Sequence, residues 1–179
     1  MKTFIAAATA LAAFYALPGA AQAQDASPAG VYGSIGYANA HTDGLDLGAV
    51  QGRLGYRFNT WFGVEGELAG GVKDDRVNVG GVKAKVKLSN QEAIYGVAFA
   101  PLSANTDLIG RIGYGSQSAK ASALGVLRVA DGQSWNFGVG AQHHFDGVNG
   151  VRVDYTREQF TGSGSGHADV VALGYAHRF

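Results

Sequence analysis

The stretch Val50-Gln51-Gly52-Arg53-Leu54-Gly55-Tyr56-Arg57-Phe58 alternates strictly between two kinds of side chain. Successive residues of an extended strand point to opposite faces. Val50, Gly52, Leu54, Tyr56 and Phe58 therefore share one face, and Gln51, Arg53, Gly55 and Arg57 share the other. One face is apolar and ends in aromatic rings; the other sets arginines between small or polar residues. Two registers are open. The aromatic face packs inside a soluble ligand-binding barrel, or it faces lipid while the arginines face inward.

The same period of two recurs along the chain. It predicts strands at 30–41, 48–58, 60–72, 90–101, 107–118, 133–145, 150–161 and 168–179. The connections alternate in length. Asn59, Leu102 to Thr106 and Asp146 to Asn149 are short, whereas 42–47, 73–89, 119–132 and 162–167 are longer or richer in Gly, Ser and charge. Short turns on one side and longer loops on the other, with an even strand number, predict an all-β fold: an eight-stranded antiparallel transmembrane up-and-down β-barrel with both ends in the periplasm. Alternation within Val82 to Leu88 predicts that the third and fourth strands extend beyond the membrane.

Small residues choose the register. The charged face is interleaved with Gly55, Gly63, Gly96, Ala98, Gly113, Gly138, Gly140 and Gly174. An eight-stranded interior is just wide enough for side chains to fill, so glycine makes room there for Arg and Glu. The opposite register costs about 2–4 kcal/mol for each arginine at the lipid midplane. Several such residues would match a net stability of about 5–15 kcal/mol. The predicted lumen holds Arg53, Arg57, Arg111, Arg152 and Arg178 against Glu65, Glu67, Glu92, Asp154 and Glu158, five charges of each sign. Buried charges persist when paired, so a salt-bridge network is expected, with Glu92 as one candidate partner of Arg111. Outward Phe58, Phe62, Phe99, Phe145 and Phe179 predict a periplasmic aromatic girdle, with Tyr37 and Trp135 near the opposite rim.

The bulk composition agrees. The 179 residues carry 14 basic and 14 acidic side chains, which speaks against nucleic-acid binding. Glycine is frequent at 28 residues and cysteine is absent, so no disulfide supports the fold. Lys2, the apolar run Phe4 to Leu17, Pro18-Gly19 and Ala21-Gln22-Ala23 read as a signal peptide over 1–23, cleaved before Gln24 to leave a barrel domain over 24–179. The run of 14 residues is short against the roughly 20 a membrane helix needs.

With its ending Leu173-Gly174-Tyr175-Ala176-His177-Arg178-Phe179, the mature chain resembles the small outer-membrane β-barrel family of Gram-negative bacteria that includes the OmpA membrane domain, OmpX and the opacity proteins. The resemblance implies an assembly signal at Gly174, Tyr175 and Phe179, read by the barrel-assembly machinery. It also implies a monomer among outer-membrane lipid and lipopolysaccharide. OmpA-like proteins often continue into a peptidoglycan-binding domain; with the ending at Phe179, a cell-wall tether is not expected.

The histidines are the first candidates for chemistry. His143 is expected to face lipid and His144 the lumen. A serine hydrolase needs Ser, His and carboxylate in hydrogen-bonding order, and no serine falls at an outward position beside His143 at its depth. His41 and His167 are expected as neighbours at the outer rim. With Asp43 or Asp169 they offer metal ligands, although two solvated loop histidines explain them as well. Gly162 to Gly166 lacks the helix and lysine of a phosphate loop. Lys73, Arg76, Lys83, Lys85 and Lys87 form the most basic external segment, suited to anionic lipopolysaccharide or an unknown extracellular ligand; a solvated hairpin that guards an edge is the other reading. The expected function is a structural or interaction barrel that displays loops and contributes to envelope integrity or adhesion. It is expected to have no catalytic residues, cofactor or metal. The alternatives are a narrow porin and, more remotely, a lipid-A-modifying enzyme.

Overall fold

The computed structural model describes residues 29–42, 45–73, 75–79, 82–123, 126–161 and 166–179. The expected signal peptide and cleavage site, and residues 162–165 of the expected loop, lie outside the described residues.

Among the described residues the chain forms β1 (Gly30–Thr42), β2 (Leu45–Arg57), β3 (Phe62–Lys73), β4 (Asp75–Val79), β5 (Val82–Ser103), β6 (Thr106–Ala123), β7 (Val126–His144), β8 (Asn149–Thr161) and β9 (His167–Arg178). The pairings are antiparallel, mostly between sequence neighbours, and β1 pairs with β9. Both β3 and β4 pair with β5. They are successive lengths of one stave, so the nine strands make an eight-stave closed barrel.

The register fixes the barrel's stagger. A row of paired residues runs Val31–Tyr56–Val64–Gly96–Ile112–Phe137–Arg157–Asp169 and returns to β1 at His41, ten residues from its start. Such a stagger tilts the strands by roughly 35–45° and closes every edge hydrogen bond. Closure matters because unpaired backbone groups cannot remain in hydrocarbon. At the seam, Gly36 of β1 faces Gly174 of β9, where the backbones leave no room for a Cβ on either residue.

The alternation reads as expected on seven staves. Leu54 and Leu68 are 62% and 67% exposed on the outer face, while Arg53 and Glu67 beside them are buried. The fourth stave differs. Tyr95, Val97 and Phe99 point inward and are buried; Glu92, Ile94 and Gly96 point outward. Phe99 therefore leaves the periplasmic girdle, where Phe58, Phe62, Phe145 and Phe179 remain exposed. The cause lies across the sheet: Gly55 leaves room for the Tyr32 ring, Gly63 for Phe99 and Gly113 for Tyr95. Tyr32 and Phe99 then meet edge-on at 5.7 Å within an apolar cluster that includes Val97 and Ile109.

The expected outer loops are also mostly strand. Among the described residues, 75–79 form β4 and 82–89 the start of β5, the extension that the alternation of Val82 to Leu88 predicted, and 119–123 and 126–132 belong to β6 and β7. The long β5 of 22 residues carries the pairing with β6 from Ser103 to Lys85. The 42–47 connection likewise shortens, with β1 reaching Thr42 and β2 starting at Leu45. Alternating Val, Ala and Lys in these stretches suits a paired ribbon. On the opposite side, Asp146 caps the β7–β8 turn by accepting from the Val148 amide at 2.9 Å, and Gly147 takes a φ of +82° that glycine permits.

Candidate functional site

The barrel's inner face holds two charge clusters. The central one joins four staves. Arg53 of β2 donates from Nε to Glu67 Oε2 at 2.8 Å and from Nη1 to Asp154 Oδ2 at 2.6 Å. Arg111 of β6 donates from Nη1 to Glu65 Oε1 at 3.1 Å and Glu67 Oε2 at 2.9 Å. Arg152 of β8 donates from Nη1 to Glu65 Oε2 at 2.6 Å and from Nε to Asp154 Oδ2 at 3.0 Å. Three guanidinium groups thus face three carboxylates, all buried. Glycines opposite make the space: a Cβ on Gly138 would lie 2.8 Å from Arg111 Cγ, and one on Gly140 would lie 2.6 Å from Asp154 Oδ1.

The second cluster sits at the periplasmic end around Asp107 of β6. Its carboxylate accepts from Arg57 Nη1 at 3.1 Å, Gln142 Nε2 at 2.9 Å and Arg178 Nη2 at 3.0 Å. The Arg57 guanidinium also lies 4.1 Å over the Phe99 ring, as Arg111 lies 4.5 Å over Tyr95. The inward phenyl and phenol rings thus hold cations, which is why the fourth stave turns its aromatics in. Towards the outer end, Gln91 donates to Glu158, and the Tyr95 hydroxyl bridges Glu67 and Asn136. Among the described residues only Tyr32 Oη, Arg111 Nε and His144 Nδ1 are buried without a hydrogen-bond partner.

Nine of the ten expected lumen charges, Arg53, Arg57, Glu65, Glu67, Arg111, Arg152, Asp154, Glu158 and Arg178, lie on the inner face, with Arg178 half-buried. Glu92 does not: it is exposed on the outer face, so it is not Arg111's partner. Near the outer end of the staves a carboxylate reaches the headgroup layer and avoids the hydrocarbon cost. Asp107 takes its place and restores five charges of each sign among the described residues. Asp107 was legible: it lies on the parity of Arg111 within the same strand.

At the end of β9, where the assembly signal is expected, the Phe179 amide donates to Val31 O at 3.0 Å, Tyr175 bonds Asn149, and Gly174 packs at the seam. His143 is exposed and bonds Thr106, and His144 is buried. His41 bonds Asp46 at 3.0 Å, and Thr42 Oγ1 donates to the His167 carbonyl at 2.9 Å, so the two rim histidines are neighbours. Of the basic segment, Lys73 ends β3, and Arg76 pairs with Lys85, Asn78 with Lys83, and Lys87 with Lys120.

Two cavities that border the inner face are small. That beside Arg53 and Arg152 has a volume of 10 Å³, at the limit for a single water. The one at the periplasmic mouth, between Tyr32, Arg57, Phe99 and Arg178, holds 70 Å³.

Solved structures share this architecture. Ail of Yersinia pestis, solved in complex with the heparin analogue sucrose octasulfate, superposes with a TM-score of 0.61 at 22% identity, over 84% of this chain and 99% of its own. OprG from Pseudomonas aeruginosa gives 0.61 at 14% identity, over 87% and 99%. Neisserial surface protein A gives 0.56 at 11%, over 83% and 96%. No curated protein matches the sequence. Residues 6–179 match the family described as outer membrane protein beta-barrel domain. This chain belongs to that family and resides in the outer membrane.

Proposed function

We propose that the protein is a plugged barrel, a structural and interaction element of the envelope that carries no solute and performs no catalysis. The observation that supports this reading is the central cluster, in which Arg53, Arg111 and Arg152 interlock with Glu65, Glu67 and Asp154 across the lumen. A charge so placed has lost water and depends on its partners. A solute would have to break these pairs to pass. Activity then lies at the outer end, where the strands carry the basic segment beyond the membrane for contact with anionic lipopolysaccharide or an extracellular polyanion. In this reading the barrel is exported with residues 1–23 removed, is assembled through its terminal strand by the barrel-assembly machinery, and works as a monomer.

Planar-bilayer recording of the purified, refolded protein tests the plug. No sustained conductance is expected, and steady ohmic steps would replace this reading with the narrow porin. Replacing residues 76–86 with a short Gly-Ser turn tests the display role. The replacement removes the β4 pairing and the first rungs of β5 but leaves the pairings from Lys87 to Ser103, so the barrel should still fold and shift on semi-native gels. Binding of sucrose octasulfate should fall.

A further inference from the structure

Four glycines of the outer face form a trough. Gly52, Gly66, Gly96 and Gly110 lie on the adjacent staves β2, β3, β5 and β6, and each stands two residues nearer the periplasm than the pairing partner of the one before. Paired rows climb ten residues around the barrel, about 1.25 residues per stave, which offsets most of that descent. The trough therefore runs close to parallel with the membrane plane. It opens into two grooves of 820 Å³ and 480 Å³, walled by Leu54, Leu68, Ile94 and Ile112. The barrel itself does not need these glycines. A Cβ on Gly52 or Gly110 would meet nothing within 4 Å, and one on Gly66 or Gly96 would meet only a carbonyl oxygen at 3.9 Å. Glycine weakens a strand interior and marks the close approach of another chain or a ligand. In hydrocarbon, apolar surfaces gain little by merely meeting; small residues favour association because they let backbones approach closely.

The far wall of the barrel is built the other way. From Gly96 the paired row runs through Ile112 and Phe137 to Arg157 of β8, three staves on, and Val153 lies four residues below Arg157. Over three staves the row climbs about four residues, so Val153 stands level with Gly96. From Gly66 the row reaches His167 of β9 after five staves, a climb of about six residues. Leu173, six residues below His167, therefore stands level with Gly66. Val153 and Leu173 are both exposed. Four residues further out on these staves, Glu92 stands level with Arg157 and Gly70 with Asp169, all on the outer face. Arg157 lies 3.5 Å from Asp169 and keeps half its side chain exposed. Asp169 is thus level with a glycine of the opposite wall, and not with an acid.

We propose that the barrels pack side by side in the bilayer, with the β8–β9 wall of one copy against the glycine trough of β3 and β5 on the next. β5 and β8 lie on one side of the barrel with β6 and β7 between them, and β3 and β9 on the other with β1 and β2 between them. Two copies in the same orientation therefore bring β5 to β8 and β3 to β9. Val153 enters at Gly96 and Leu173 at Gly66, while Glu92 of one copy faces Arg157 of the next. A second copy fits the trough better than acyl chains do, since chains aligned with the bilayer normal cross a trough that lies in the membrane plane. The two walls are opposite, so the contact is head-to-tail, does not close, and extends into rows. This goes beyond the monomer described above: each barrel folds and plugs alone, and the row forms between finished barrels.

The absence of cysteine from the chain allows a direct test. Leu68 and Val171 lie two residues outward of Gly66 and Leu173, so they meet across the contact but sit on opposite walls of one barrel. The double variant Leu68→Cys, Val171→Cys is refolded, reconstituted at low density in phosphatidylethanolamine–phosphatidylglycerol vesicles and oxidised with copper phenanthroline. Non-reducing gels should show a ladder of dimers, trimers and longer rows, and each single-cysteine variant should give at most a faint dimer. Adding Gly66→Val and Gly96→Val should reduce the ladder about tenfold, because a filled trough holds the two walls apart. Glu92→Arg should weaken the ladder, and Glu92→Arg together with Arg157→Glu should restore it. Heat-modifiable mobility identifies the folded variants, and Gly66→Ala with Gly96→Ala serves if the valines do not fold. A missing ladder would overturn the proposal, as would an undiminished ladder in a folded trough variant or single-cysteine dimers as abundant as the ladder. Conductance across the same vesicles reads the plug separately and is expected to stay absent whether or not rows form.

Discussion

Arg152 and Glu65 join opposite walls of the barrel, with the Arg152 Nη1 donating to Glu65 Oε2 at 2.6 Å between β8 and β3. Glu65 also accepts from Arg111 at 3.1 Å and has no exposed surface. Its removal leaves two arginines short of a partner. Glu65→Leu should therefore cost about 3–5 kcal/mol. The double variant Glu65→Leu, Arg152→Met should cost less than the two single losses together, by about 0.5–3 kcal/mol. Urea unfolding in micelles measures all three, and strict additivity would mean that the pair does not couple.

Asp107 and Glu92 make opposite predictions from the same charge. Asp107 is fully buried and accepts from Arg57, Gln142 and Arg178. Asp107→Ala should destabilise the barrel by about 3–5 kcal/mol, whereas Glu92→Ala on the outer face should stay within about 0.5 kcal/mol. Thermal unfolding of the two detergent-solubilised variants settles the parity of β5. The reverse order would return Glu92 to the lumen.

That parity marks where sequence reading stopped. On the other staves, each strand carries apolar bulk on one face and charge or glycine on the other, so period two suffices. On β5 the only charge of the spanning stretch is Glu92, at the outer end, and Tyr95, Val97 and Phe99 are bulky enough for lipid. The deciding information lies in other strands, in Gly63 and Gly113, whose missing side chains receive the Phe99 and Tyr95 rings. A single-strand pattern does not contain it. The extension of the third and fourth staves was legible in the alternation of Val82 to Leu88, whereas the continuation of β6 to Ala123 and the start of β7 at Val126 were read as loop, because Gly, Ser and charge there suit a loop and a projecting ribbon alike.

Phe179 is 78% exposed at the end of β9, and its amide bonds Val31 O, next to the seam. Deleting Phe179 should impair assembly more than secretion. Fractionation should find the truncated chain accumulating or degraded in the periplasm. A normal yield of heat-modifiable barrel would show that the terminal ring is dispensable.

Asp146 gives the β7–β8 turn a pH dependence. Hydrogen bonds from Asn149 and Val148 hold its carboxyl down at about 2. A depressed value favours the folded state above the ordinary range near 3.9. The contribution fades as pH falls from about 4 through about 2. Asp146→Asn removes the charge at every pH, so wild type should exceed it in stability at pH 7, and the two should converge below about pH 2. A difference independent of pH, read from unfolding curves across that range, would assign the effect to geometry alone.

The glycine-paired seam has a consequence for how the cylinder shuts. All six members of the central cluster belong to β2, β3, β6 and β8, and neither β1 nor β9 supplies one. Its pairs Arg53–Asp154 and Arg152–Glu65 join β2 and β3 to β8 across the lumen, so the interior charges are neutralised only as the two ends of the sheet draw together. The final step brings together Gly36 and Gly174 with Ala38 and Ala172 beside them, a strip whose lumen-facing side chains are small. Closing thus couples backbone zipping at the seam to charge pairing in the lumen, and reopening must break both.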